Sequence, residues 1–154
     1  MKRRVFVVLL LVLGLGLFAV PAAGAQSPEH EPHTLIADGD GLAMLLGKGV
    51  IDLSGNGILW VKAPEGASVE VTGYGQQEVF PDGWQQYAGF HGTAHIEGRG
   101  LRVILAGVDV HLEARGRGRA FLWGHGTHQW GDRNGEWSSN GLGASVSFTE
   151  PASQ

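Results

Sequence analysis

Residues 41 to 63 read GLAMLLGKGVIDLSGNGILWVKA, and this stretch decides the fold. Apolar residues occupy every second position from Ala43 to Val61, as in a strand with one buried face. The alternation continues unchanged through Gly47-Lys48-Gly49 and Gly55-Asn56-Gly57. Two-residue hairpin turns would reverse its parity, whereas three-residue glycine corners, or sharp bends within a strand, preserve it. The stretch therefore predicts short strands that meet at glycine corners about eight residues apart.

A second stretch, Gly92 to Gly126, repeats the first, Gly41 to Gly75, with the glycines in the same places. Between the two copies, Pro81-Asp82-Gly83 is typical of a turn and predicts a hairpin from Gln76 to Phe90. The pattern predicts an all-β fold: a duplicated antiparallel β-sandwich or barrel of short strands with Gly-x-Gly corners. A β-solenoid is the alternative, although a solenoid normally needs several more turns to bury its core.

The side of the strands that should face water is also partly apolar. It carries Val50, Ile58, Trp60, Leu101, Val103, Leu105, Phe121 and Trp123. Either a second layer of the same chain covers these side chains or a partner does. Residues 76 to 90 and 137 to 148 are the candidates for a second layer, because Leu142, Ala144, Val146 and Phe148 alternate as in a strand that closes a sheet.

The N-terminal 25 residues have the pattern of a signal peptide. Lys2, Arg3 and Arg4 precede an apolar run from Val5 to Val20, and small residues lead to cleavage after Ala25. A retained membrane anchor is the alternative interpretation. After cleavage we expect a flexible lead-in (26–34), a single all-β domain (35–149), a short tail (150–154) and no stable membrane span. The protein is therefore expected to be secreted or periplasmic.

Charge and cysteine content narrow the function classes. Loss of the signal peptide leaves eight basic against 15 acidic residues, a net charge of −7. Such a balance argues against nucleic acid and against an anionic membrane as partners. The triplet Arg115, Arg117 and Arg119 is the one candidate for a basic patch, and we favour a solvated strand face as its explanation. The chain has no cysteine, so neither disulfides nor thiol chemistry contribute.

The glycine triplets resemble those of uncharacterised bacterial exported proteins that are rich in Gly-x-Gly β-repeats. The resemblance covers about residues 39 to 128 and is carried by Gly39-Asp40-Gly41, Gly73-Tyr74-Gly75, Gly92-Thr93-Ala94 and Gly124-His125-Gly126. It implies an all-β exported domain and implies no activity.

Residues for catalysis or metal binding form no diagnostic motif. The chain has no Gly-x-Ser-x-Gly, no phosphate-binding glycine loop and no His-Glu-x-x-His, so we expect neither an enzyme nor a cofactor. Histidines and carboxylates alternate along two predicted strands, at His95 and Glu97 and at Asp109, His111 and Glu113. Adjacent pairing of these strands would suit zinc or copper. A hydrated outer face explains the same pattern, and we predict no metal site.

Aromatic residues near predicted loops give the candidate binding site. Trp84 and Tyr87 lie in the joining hairpin, and Trp130 and Trp137 flank the loop from Gly131 to Gly135. A flat apolar ring with a polar edge stacks well on a sugar. Burial at the ends of the core would explain the same residues.

The sequence as a whole predicts a non-enzymatic exported β-domain. Its role would be structural or one of surface interaction, in the cell envelope or the extracellular space, through self-association or a cell-surface partner. A carbohydrate-binding module that uses the four aromatic residues is one alternative. A small periplasmic metal-binding protein is the other.

Overall fold

The computed structural model of the protein describes residues 34–149, and every regular element in this range is a β-strand. The signal peptide, most of the lead-in and the tail lie outside the described residues. The six strands are β1 (Thr34–Lys62), β2 (Ser68–Val71), β3 (Gln76–Val79), β4 (Trp84–Trp130), β5 (Arg133–Glu136) and β6 (Ala144–Thr149). All pair antiparallel in one sheet, so the predicted all-β antiparallel fold is confirmed.

The long strands β1 and β4 wind together. β1 pairs with β4 along both of its edges: Leu45, for example, lies between Val103 and Ala120, which are 17 residues apart in β4. Val103 in turn lies between Leu45 and Val61 of β1. Successive turns of the wound pair are therefore hydrogen-bonded to one another in a single continuous sheet.

Glycine corners bend each turn in two, so that the sheet folds over on itself like a sandwich. The first half contains residues 42–46, 58–62, 84–88, 101–106 and 118–123, with β3 and β6 at its edges. The second half contains residues 34–38, 50–54, 93–97, 110–115 and 127–130, with β2 and β5 at its edges. Within residues 34–149 no pairing joins β2 or β3 to β5 or β6, and the sheet is not closed into a barrel.

The core lies between the two halves. Leu45 and Val103 of the first half and Leu53 and Leu112 of the second line the same internal space. The buried apolar side chains come from β1, β4, β6 and the segment before β6. Odd-numbered residues of β1 form the inner face, as the alternation predicts: Leu35, Leu59 and Val61 have no exposed surface.

The corners need glycine because two strands approach each other closely there. Gly49 and Gly116 face each other across β1 and β4, with φ of 135° and 124°. A Cβ on Gly49 would overlap the carbonyl oxygen of Arg115, and a Cβ on Gly116 would overlap that of Lys48. Both the backbone angle and the contact therefore exclude a side chain.

The predicted outward position of Leu101, Val103 and Leu105 is wrong. These residues are buried, with exposed fractions of 0 to 1%. The register of β4 against β1 shifts by one residue between Gly98 and Leu101 and again between Gly107 and Val110. Each shift is a bulge that moves the following side chains to the other face. The remaining outward predictions agree with the structure, in which Ile58 and Trp123 are exposed and Val50, Trp60 and Phe121 are half-buried.

The sequence repeat does not appear as two equivalent structural units. Residues 41–75 span part of β1, a loop and β2, whereas residues 92–126 lie wholly within β4. What the two copies share is the position of their glycines at corners.

The hairpin and the last strand form as predicted. β3 pairs with the start of β4, and the Gly83 N–H donates to the Phe80 carbonyl oxygen across the turn. β6 pairs with residues 117–122 of β4 and buries Phe148. Leu142, however, is 86% exposed and precedes the strand.

Candidate functional site

The two outer sides of the folded sheet differ in chemistry, and this difference defines the candidate site. The outer side of the first half is apolar with a basic border. The outer side of the second half carries carboxylates and histidines.

The apolar face consists of outward side chains of the first half that are neighbours across the strands. Its members are Leu42, Met44, Ile58, Trp60, Ile104, Phe121 and Trp123. Phe121, Met44, Ile104 and Trp60 form one row across four strand segments. At a strand spacing of about 4.8 Å this row is about 14 Å long. Ile58 and Trp123, in the adjacent row, are 39% and 46% exposed.

An aromatic cluster ends the apolar face at the β3 edge. The rings of Trp60 and Phe80 stack with centroids 5.4 Å apart, and Trp84 meets Trp60 edge-on at 6.4 Å. Phe80 and Trp84 of the hairpin therefore cover one side of Trp60. Residues 76–79 and 144–149 pair at the edges of the same sheet and do not form the second layer that the sequence predicts for residues 76 to 90 and 137 to 148. The rest of the face has no such cover among the described residues.

A basic edge borders the apolar face. It consists of Lys48, Lys62, Arg99, Arg102, Arg117 and Arg119, which are six of the eight basic residues after residue 25. Arg119, Arg102 and Lys62 lie in one outward row with Leu46, next to the row that holds Trp60. Lys48, Arg99, Arg102 and Arg117 surround a shallow groove at the adjoining corner. Among the described residues none of the six forms an ion pair.

The predicted arginine triplet is divided by the fold. Arg115 belongs to the second half, where its Nη2 donates to Asp52 Oδ2 at 3.2 Å. Arg117 and Arg119 belong to the basic edge. The patch is therefore assembled from segments far apart in sequence rather than from one strand.

The acidic face is the outer side of the second half. It carries Asp38, Asp52, Glu70, His95, Glu97, His111 and Glu113. His95 Nδ1 lies 2.5 Å from Asp52 Oδ1, and His111 Nδ1 lies 2.6 Å from Asp38 Oδ1. His111 Nε2 is also 3.4 Å from Glu113 Oε1.

Carboxylates shift the affinity of both imidazoles for protons. The hydrogen bond to Asp52 is the main reason that the pKa of His95 is raised, and Glu70 and Glu97 add to it. For His111, burial opposes protonation most strongly, but Asp38 and Glu113 outweigh it and the pKa is raised. Both imidazoles therefore keep their protons to a higher pH than an isolated histidine does, and each lies beside a carboxylate.

Strand order keeps the two histidines apart. A metal site shared by His95 and His111 would require adjacent strand segments. The two segments are not adjacent, because residues 50–54 of β1 lie between them. In residues 34–149 no group of three or more histidine, aspartate or glutamate side chains has a geometry that could hold a metal ion.

Asp38, His111 and Ser54 occupy one row of neighbouring strands, which is the residue set of a hydrolytic triad. The Asp38 hydrogen bond orients the ring, but His111 Nε2 faces Glu113, and no hydrogen bond joins it to Ser54.

The four aromatic residues predicted to bind a ligand do not converge. Tyr87 and Trp137 are buried, with exposed fractions of 4 and 5%, and Trp137 Nε1 donates to the Thr127 carbonyl oxygen at 3.0 Å. Trp84 is half-buried at the β3 edge, and Trp130 is half-buried near β5, under the guanidinium of Arg133 at 5.6 Å. The segments that hold Trp84 and Trp130 lie at opposite edges of the sheet. Of the four, Trp84 alone adjoins the apolar face.

Sequence reasoning missed Leu42, Met44 and Ile104 of the apolar face and most of the basic edge. One signal was available. The middle residues of three glycine triplets, Lys48, Arg99 and Arg117, are cationic, and all three triplets fold at the same corner. At the opposite corner the middle residues are Asp40, Asn56 and His125.

Among the described residues no helix is long and apolar enough to cross a membrane. Comparison of the chain with known proteins finds no matching family model, no matching curated protein and no matching solved structure.

Proposed function

We propose that the protein is a non-enzymatic exported domain with a structural or surface-interaction role in the cell envelope or the extracellular space, and that it acts through the apolar face. The signal-peptide pattern of residues 1–25 supports export.

The observation that carries the proposal is the exposed apolar face. Single exposed apolar residues are ordinary on soluble proteins, whereas contiguous patches mark interaction sites. Here Trp123, Leu42 and Ile58 lie in one row beside the row of Phe121, Met44, Ile104 and Trp60. A glycan-binding role has less support, because the aromatic residues expected to stack on a sugar are buried or lie at opposite edges of the sheet.

Cell fractionation tests the proposal. Cells exporting the full chain, the double variant Ile58→Ser with Trp123→Ser, or a control are separated into envelope and soluble fractions. Val79→Ser is the control, because Val79 is more exposed, at 66%, and lies in the row of Gln85 and Val61, on the opposite side of the sheet from the apolar face. We expect the native chain and the control in the envelope fraction or in assemblies, and the face variant as free monomer.

Light scattering on residues 26–154 then identifies the partner class. A mass that grows with concentration, and that the face variant abolishes, indicates self-association. The proposal would be overturned if the native chain, like the face variant, were free and monomeric both in cells and in solution.

A further inference from the structure

We infer that the apolar face and the basic edge together bind the surface of an anionic lipid membrane, with the sheet lying flat in the headgroup region. The inference rests on the proposed function and names the partner of its surface.

The first argument is that cations and apolar groups share one flat side. Arg119, Arg102 and Lys62 point outward in the row next to Phe121, Met44, Ile104 and Trp60. A membrane interface offers both complements at once, since acyl chains accept the apolar groups and headgroup phosphates accept the cations. Long lysine and arginine side chains can reach phosphates while their stems stay on the apolar surface.

The second argument is that the basic edge lacks counter-charges. Six cations gather along one side, and none has an ion pair among the described residues. Arg115, by contrast, is paired with Asp52 on the other half. Neighbouring cations repel one another, and a bound anion would offset this repulsion. An anionic surface would supply that anion along the whole edge.

The third argument is the orientation of the molecule's own negative charge. The carboxylates of the acidic face project from the opposite side of the sandwich, so an anionic surface that meets the apolar face meets few of them. This segregation removes the objection that the overall charge of the chain raises against an anionic membrane. Two tryptophans, Trp60 and Trp123, also lie on the side that would face the lipid, and tryptophan is enriched at this depth in membranes.

A second copy of the chain is the rival occupant, and the cations disfavour it. In a face-to-face dimer the row of Arg119, Arg102 and Lys62 would be desolvated against apolar side chains or against its own copy. Glu78 is the carboxylate on this side, and it lies at the β3 edge, beyond Gln86 in the row of Trp60. Desolvating an unpaired charge is costly.

Vesicle binding tests the inference. The chain begins at Gln26, which retains every described strand and removes the apolar run at residues 5 to 20. Its β-sheet spectrum is checked by circular dichroism. Vesicles of phosphatidylcholine alone are compared with vesicles of about three parts phosphatidylcholine to one part phosphatidylglycerol. Co-sedimentation and the blue shift of tryptophan fluorescence report binding.

We expect binding to the anionic vesicles that weakens as salt is added. Arg102→Glu should weaken it by fivefold or more, since each cation near such a surface contributes about fivefold. Arg133→Glu is the matched control, because it changes net charge equally but lies in β5, at the edge of the second half and off the face. Ile58→Ser should also weaken binding and reduce the blue shift.

Other outcomes would overturn the inference. These are no binding to anionic vesicles, equal binding to neutral vesicles, or equal losses for Arg102→Glu and Arg133→Glu. A further outcome is a stable dimer that Ile58→Ser disrupts, with no binding to vesicles. The face would then bind a second copy: the proposed function would be kept and the lipid inference rejected. If Ile58→Ser and Trp123→Ser changed neither fractionation nor vesicle binding, both would fall.

Discussion

At the scale of single residues, glycine sets where the sheet can bend. Gly49 and Gly116 allow β1 and β4 to turn the same corner in contact, because neither places a Cβ between the backbones. The sequence predicted this corner from the triplet Gly47-Lys48-Gly49. It did not predict that the partner of each corner would be another glycine on the neighbouring strand.

Replacement of Gly49 by alanine should therefore destabilise the protein strongly. The positive φ alone costs about 1–3 kcal/mol in free energy of unfolding, and the overlap with the Arg115 carbonyl oxygen adds to it. Gly66→Ala is the control, since Gly66 has a φ of 86° but no atom within 4 Å of its would-be Cβ. Urea denaturation measures both. Equal losses would show that close approach at the corner contributes nothing.

The His95–Asp52 pair gives a prediction about pH. Because Asp52 raises the pKa of His95, protonated His95 favours the folded state. Its contribution is fully present below about pH 6.5, the ordinary histidine pKa, and is lost as pH rises through the raised folded-state pKa. Asp52→Asn should lower the pKa of His95 and remove this part of the pH dependence.

Nuclear magnetic resonance titration of the ring protons provides the measurement, and His111 is the internal control. Its pKa depends on burial and on Asp38 and Glu113, not on Asp52, so it should titrate alike in both proteins. An unchanged His95 midpoint in the variant would refute the assigned cause.

At the scale of elements, the short strands complete the edges of the wound pair. β6 lies along residues 117–122 of β4, and Phe148 sits opposite Gly118 with its ring over the glycine. The absence of a side chain at Gly118 makes room for the ring. Alternation from Leu142 to Phe148 predicted this strand, because Ala144, Val146 and Phe148 share its less exposed face, although Leu142 lies before the strand.

Phe148→Ala should lower the free energy of unfolding by about 3–5 kcal/mol, the usual cost of removing a buried phenylalanine ring. Phe148 is 3% exposed, whereas Leu142, a few residues earlier, is 86% exposed. Leu142→Ala should therefore change stability by less than about 0.5 kcal/mol. Thermal or urea unfolding compares the two variants. Similar small effects for both would mean that β6 adds little to the core.

The glycine triplets explain why the sequence predicted the inward and outward positions correctly in β1 but not throughout β4. Gly47-Lys48-Gly49 in β1 and Gly98-Arg99-Gly100 in β4 have nearly the same sequence, and both form corners. The register shifts by one residue only at the second, which is why Leu101 faces the core. Whether a glycine triplet includes a bulge depends on how the neighbouring strands pass the corner, and a single strand's pattern does not contain that information.

At the scale of the whole molecule, the winding places distant residues together. Lys48, Arg99 and Arg117 meet at one corner because residues about 17 positions apart in β4 flank the same residue of β1. Alternation predicted that Ile58, Trp60, Phe121 and Trp123 point outward. Alternation did not predict that these residues would lie beside cations. That prediction would require knowing how many residues one turn of the wound pair contains. The separation of an apolar, basic side from an acidic side follows from the same geometry.

The double pairing of β1 also limits how the chain can change in length. An inserted residue in β1 would displace every following glycine corner relative to both flanking segments of β4 at once, and would turn inner side chains outward. Insertions belong instead in the connections, at residues 63–67, 80–83 and 139–142. Foreign loops could be grafted at those positions. The two long strands, by contrast, should keep a nearly fixed length, so that their sequence can vary by substitution but not by insertion.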